Sequence, residues 1–177
     1  MFIFMRTIFI LLALVMVSGC AAPPTASTIN VTTTFPLQSQ ATQSTFNKPL
    51  AEALADVPAT WKLNASEESH TPFYGHVSNI IAHLTTDRGG VDISMDKWNS
   101  VDNATAEINR IYKRLAKDVE FLNVGGSQCY SYELEKQYIQ CVKGNIVFSV
   151  TSDSGEDAYS EIIAVAKFID SRLVTVD

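Results

Sequence analysis

Residues 76–98 contain two alternating runs joined by Asp87-Arg88-Gly89-Gly90, and this stretch limits the possible folds more than any other. In the second run Val91, Ile93 and Met95 are apolar while Asp92, Ser94 and Asp96 are polar. Successive side chains of a strand point to opposite faces, so this period of two predicts a strand with one buried and one wet face. In the first run Ile80, Ala82 and Leu84 alternate, with Val77 and Ile81 on the other side, which predicts apolar contact on both faces. The glycine pair supplies the backbone freedom of a tight reversal, so the runs read as a hairpin closed by Trp98. A lone hairpin is marginal in water, so the rest of the chain must extend and cover it.

Beyond Asp102 the period lengthens. Ala104, Ile108, Ile111, Tyr112, Leu115 and Val119 recur at steps of three and four, with Glu107, Arg110, Lys113, Arg114 and Lys117 between them. This predicts an amphipathic helix capped by Asp102 or Asn103, its basic end complementing the helix dipole. Residues 120–124 read as a strand entering Gly125-Gly126, and residues 128–142 as a hairpin turning at Leu134-Glu135-Lys136. Lys143-Gly144-Asn145 reverses the chain into a strand in which Ile146, Phe148 and Val150 alternate with Val147, Ser149 and Thr151. Residues 152–157 set up a final helix whose apolar stripe is Ala158, Ile162, Val165, Ala166, Ile169 and Leu173, with Phe168 beside it. Upstream, Pro49 favours the first position of a short helix over residues 49–55, Pro58 ends it, and Trp61-Lys62-Leu63 suggests a strand.

The N-terminus has a different character. Arg6 precedes an apolar run over residues 7–17 that is too short to span a bilayer and reads as a secretory signal. The order Val17-Ser18-Gly19-Cys20 resembles the lipobox of bacterial lipoproteins. That resemblance implies cleavage of residues 1–19, a diacylglyceryl group on the Cys20 sulfur and acylation of the new N-terminus. Multiple acyl chains make a durable membrane anchor where one does not. In an organism with an outer membrane, Ala21 after the lipid cysteine implies sorting to that membrane. Residues 20–48 are then the lipidated end and a Thr, Ser, Gln and Pro-rich tether spanning roughly 30 Å, too polar to build a core. Phe35 and Phe46 are its candidate docking aromatics. Residues 49–177 make one globular domain.

With Cys20 assigned to lipid, Cys129 and Cys141 remain as a pair, and export places them where thiols oxidise and stay paired. They lack the C-x-x-C spacing of a redox-active site. If Cys129 faces Cys141, then Tyr132 faces Tyr138. Tyr130, Tyr132, Tyr138 and Val142 then share one face, and Cys129, Ser131, Glu133, Gln137 and Cys141 the other.

The whole chain carries a net charge of −6, and without Arg6 the remaining 12 basic residues face 19 acidic ones. This balance argues against nucleic acid as a partner and against docking on anionic lipid by charge. His70, His76 and His83 are separated by six and seven residues, which suits neither a strand face nor a helix face, so no metal site is expected. Asp92 and Asp96, with Asp87 across the turn, read as a solvated strand face rather than a calcium or hydrolase site. Gly125-Gly126-Ser127 lacks the pattern of a nucleophile turn, and no glycine-rich phosphate loop is present, so no cofactor is expected. Trp98, Tyr130, Tyr132 and Tyr138, with Phe73-Tyr74, are candidates to line a groove for an envelope protein, a peptide, a glycan or a small apolar ligand.

The expected fold is therefore α+β, a mainly antiparallel sheet with two main helices. In element order it is similar to the PsbP-like α/β/α sandwich, a resemblance of pattern that implies architecture and no activity. The expected role is a non-enzymatic binding or envelope-structural module attached to the membrane through its lipid. The alternative is an envelope hydrolase or other enzyme using dispersed acidic residues.

Overall fold

In a computed structural model, which describes residues 45–70, 73–115, 118–152 and 158–173, seven strands form one sheet in the order β1-β2-β3-β7-β6-β5-β4. The strands are β1 (Lys62–Ala65), β2 (His76–Thr85), β3 (Gly90–Trp98), β4 (Glu120–Val124), β5 (Ser127–Glu133), β6 (Gln137–Lys143) and β7 (Ile146–Ser152). The helices are α1 (Leu50–Ala53), α2 (Val101–Leu115) and α3 (Ala158–Arg172). Every neighbouring pair of strands is antiparallel, so the domain is α+β as the alternating runs predict. The candidate helix start at residues 153–157 and the lipobox and tether through residue 44 lie outside the described residues. No helix among the described residues is long and apolar enough to cross a membrane.

The sheet carries a long helix on each face, because its strands alternate between two apolar surfaces. Ile162, Val165, Ala166 and Ile169 of α3 pack on the face formed by Ile80, Ile93, Met95, Ile139, Ile146 and Phe148. Ala104 and Ile108 of α2 cover the opposite face, on Tyr130, Val142 and Val147. Among the described residues α2 packs chiefly on β3, β7 and β6, leaving the outer face of β2 largely uncovered by it. Ile81 is consequently 58 % exposed, and the apolar contact expected on both faces of β2 occurs on one.

The helix ends correct two expectations. The cap of α2 is neither Asp102 nor Asn103. Ser100 accepts the Asn103 N–H on its hydroxyl at 3.1 Å, satisfying a donor that the first helical turn leaves open. Pro49 stands in the flanking position before α1, which closes at Ala53 well short of Pro58. The chain then turns through Asp56, at φ 53°.

The 128–142 hairpin has the expected register, with Cys129 opposite Cys141 and Tyr132 opposite Tyr138. Cys129 and Cys141 form a disulfide with Cα atoms 4.1 Å apart. Phe46 differs from the expected tether residue, because it is only 2 % exposed and belongs to the core beneath α3. The folded region thus begins before the expected boundary at residue 49.

Candidate functional site

A cavity of about 650 Å³ opens where the end of the β2–β3 hairpin meets α2. Its sheet wall is His76, Asp96 and Trp98. Its helix wall is Asn103, Ala106, Glu107 and Arg110, residues spaced three and four apart and so aligned along one side of α2. Phe73 and Tyr74 form its rim, 67 % and 85 % exposed, with ring centroids 4.1 Å apart and the planes steeply inclined.

A bulge in β2 brings His76 into this wall. Residues Asn79, Ile81 and His83 face Asp96, Ser94 and Asp92 on the side of the sheet that carries α2. In an unbroken strand His76 would share the opposite face with Ser78. The register instead slips between His76 and Ser78, so that His76 opposes Trp98 while Ser78 opposes Lys97. The extra residue re-aims His76 toward α2. His76 Nε2 lies 3.0 Å from Asp96 Oδ1, and its ring meets the Trp98 ring edge to face at 5.5 Å.

The rim is held by the backbone. Tyr74 has φ 46° and Gly75 φ 87°, a left-handed pair that folds the chain back so that the His76 N–H bonds to Phe73 O at 2.9 Å. Gly75 O accepts from the Asn99 N–H at 2.8 Å, and a Cβ at Gly75 would overlap the Asn103 side chain. Asn103 itself donates to Asn99 Oδ1 at 2.6 Å. The aromatic rim is thereby fastened to the start of α2.

The electrostatics are unbalanced in one place. Burial pushes the Asp96 carboxyl above the usual carboxylate range. The hydrogen bond and charge of His76 oppose that rise, while the Glu107 charge adds to it and Asn79 opposes it. Glu107 is engaged by Arg110 through a paired contact to Nε and Nη2, and this pairing raises the Arg110 guanidinium. Two carboxylates thus face one cavity, and the Glu107 charge disfavours that of Asp96.

Neither a known protein family nor a curated protein matches this chain. Among solved structures it is similar to the crystal structure of a GTP binding regulator from Thermotoga maritima, at 15% identity over 72% of this chain and 94% of that one, with a TM-score of 0.47.

The four aromatics expected to share a groove are divided by the fold. Trp98 lines the cavity, and its indole Nε1 is buried with no hydrogen-bond partner among the described residues. Tyr130 is fully buried beneath α2 and offers no surface to a ligand. Tyr132 and Tyr138 stack in parallel at 4.8 Å, and neither belongs to the cavity wall. Burial pushes the Tyr130 and Tyr132 phenols up, with the neighbouring phenols adding to each rise and Glu107 also raising Tyr130.

The histidines separate as well. His83 pairs with Asp92 at 2.8 Å on the exposed sheet face, where Asp92 also meets Lys136 at 3.9 Å. His70 and His76 both line a more open depression of about 550 Å³ on the other side of the Phe73-Tyr74 rim. Among the described residues no three His, Cys, Asp or Glu side chains are grouped as metal ligands would be. Ser127 lies in the core, donating to Asp170 Oδ1 at 2.6 Å. Cys20 lies outside the described residues.

Sequence reasoning named Trp98 and Phe73-Tyr74 for a groove but missed the polar walls, because Asp96 read as part of a solvated face, and Glu107 and Arg110 as the wet side of a helix.

Proposed function

We propose that this chain is a bacterial lipoprotein, held to the cell envelope by an acylated Cys20, whose domain binds a small ligand without transforming it. The lipobox order Val17-Ser18-Gly19-Cys20 supports the anchor. The cavity at the hairpin end carries the binding reading. Two large aromatic side chains stand exposed at its mouth, while the described residues lining it include no Ser, Thr or Cys to act as a nucleophile. Helices on both faces of an antiparallel sheet support a PsbP-like sandwich as the architecture.

The anchor is tested by feeding cells an alkyne fatty acid. Label on the wild-type protein that disappears in Cys20→Ala supports it, and undiminished label on the variant rejects it. The binding reading is tested by following Trp98 fluorescence while small molecules of envelope extracts are added. A response that vanishes in Phe73→Ala/Tyr74→Ala supports it, and no response from any fraction rejects it.

One observation favours the enzyme reading as a second possibility. His76, Asp96 and Glu107 converge on the cavity, which is the arrangement acid–base chemistry requires. Consumption of an extract component by wild-type protein but not by Asp96→Asn would replace binding with catalysis.

A further inference from the structure

We infer that the cavity between the β2–β3 hairpin end and α2 takes a small organic cation, an alkylammonium group seated against Trp98 and Tyr74 with Asp96 and Glu107 as its counter-charges. This rests on the binding reading above and names its ligand class. Three aromatic side chains contribute to the walls, and the face of an aromatic ring attracts a cation through its quadrupole. Neutral apolar ligands gain from the same rings, so the rings alone do not choose between the two. The carboxylates make the choice. Asp96 and Glu107 reach the cavity from opposite walls, one on the sheet and one on the helix, and the Glu107 charge disfavours ionisation of Asp96. A positive charge placed between them relieves that repulsion, whereas an anion adds to it.

Arg110 reaches Glu107 from its own helix, three residues along, with side chains 49% and 17% exposed. A ligand ammonium competes with this guanidinium for Glu107, and Arg110, the more exposed partner, has solvent to move into. His76 engages Asp96 at a single oxygen, Oδ1. A compact ammonium ligand fits a space of about 650 Å³ with room for a substituent to extend past Phe73.

The test uses the purified full-length chain carrying Trp61→Phe, so that Trp98 is the remaining tryptophan, in a polyoxyethylene detergent. Choline is titrated against its uncharged isostere 3,3-dimethylbutan-1-ol, with Trp98 fluorescence as the readout. We expect choline to bind about tenfold more tightly than the isostere. That preference should disappear in Glu107→Gln and in Asp96→Asn. Arg110→Ala removes the competing cation and should tighten choline binding, a gain that misfolding cannot produce. Equal or tighter binding of the isostere overturns the cationic class and leaves the binding reading in place. Silence from choline, the isostere, phenol and N-acetylglucosamine alike overturns both.

Discussion

The side-chain amide of Asn145 holds both backbone groups of Phe46, 99 residues earlier in the chain. The Phe46 N–H donates to Asn145 Oδ1 at 2.7 Å, and Nδ2 donates to Phe46 O at 3.4 Å and to Trp98 O at 2.8 Å. One buried side chain therefore ties the entry of the domain to the last residue of β3. Asn145→Ala leaves these buried groups without partners, and we expect it to destabilise by about 2–3 kcal/mol in urea denaturation. Asn145→Asp keeps the acceptor but sets a buried carboxylate oxygen against the carbonyls of Phe46 and Trp98, so it should destabilise at least as much. A wild-type midpoint for Asn145→Ala would show that Phe46 is held by packing alone.

The second prediction concerns Asp170, which binds the β4–β5 turn to α3. Its carboxylate accepts from the Gly126 N–H and from Ser127, and pairs with Lys143 at 3.0 Å. Gly125 is at φ 61°, and a Cβ there would overlap this carboxylate. We expect Gly125→Ala and Asp170→Ala each to cost about 2–4 kcal/mol. The double variant should cost less than their sum, because both disturb one cluster. Additive losses by thermal denaturation would show that the two act separately.

The disulfide gives a third test. It closes a short loop with a sequence separation of 12, for which the chain-entropy account predicts up to about 3 kcal/mol of stabilisation. Cys129→Ser/Cys141→Ser should lose an amount of that order, and a midpoint unchanged by the double substitution would contradict it. Unreduced protein should resist alkylation at both positions when read by mass spectrometry.

Alkaline pH gives a fourth. Burial raises the Tyr130 phenol in the folded state, followed in size by the effects of Tyr132 and Glu107. The unfolded chain therefore releases this proton first, at about pH 10, and folding stability falls as pH rises above that value. Tyr130→Phe removes the ionisation and should flatten the alkaline limb of the stability profile. An unchanged alkaline limb in Tyr130→Phe would assign the loss to other groups.

The local periods of the chain carried much of this fold. The period of two in Val91, Ile93 and Met95 and the period of three to four in Ala104, Ile108 and Ile111 depend only on neighbours in sequence, and each marks the face that is buried. The pairing of Cys129 with Cys141 followed from their being the two cysteines left after Cys20, and the hairpin register followed from that pair. What escaped depends on contacts between distant parts of the chain. The alternation of β3 says it is a strand, but nothing local says that Met95 will lie opposite Phe148. The slip between His76 and Ser78 breaks the period of two, so counting along β2 would put His76 on the wrong face. The cavity needs that slip, the turn at Tyr74 and one side of α2 together, and none of the three has meaning without the others.

The position of β7 has a consequence for biogenesis. It lies between β3 and β6 and joins the first hairpin to the later meander. A chain emerging N-terminus first thus presents two half-sheets, each with an unpaired edge, until Ser152 has been delivered. Until that seam closes, those edges are open to pairing with other molecules.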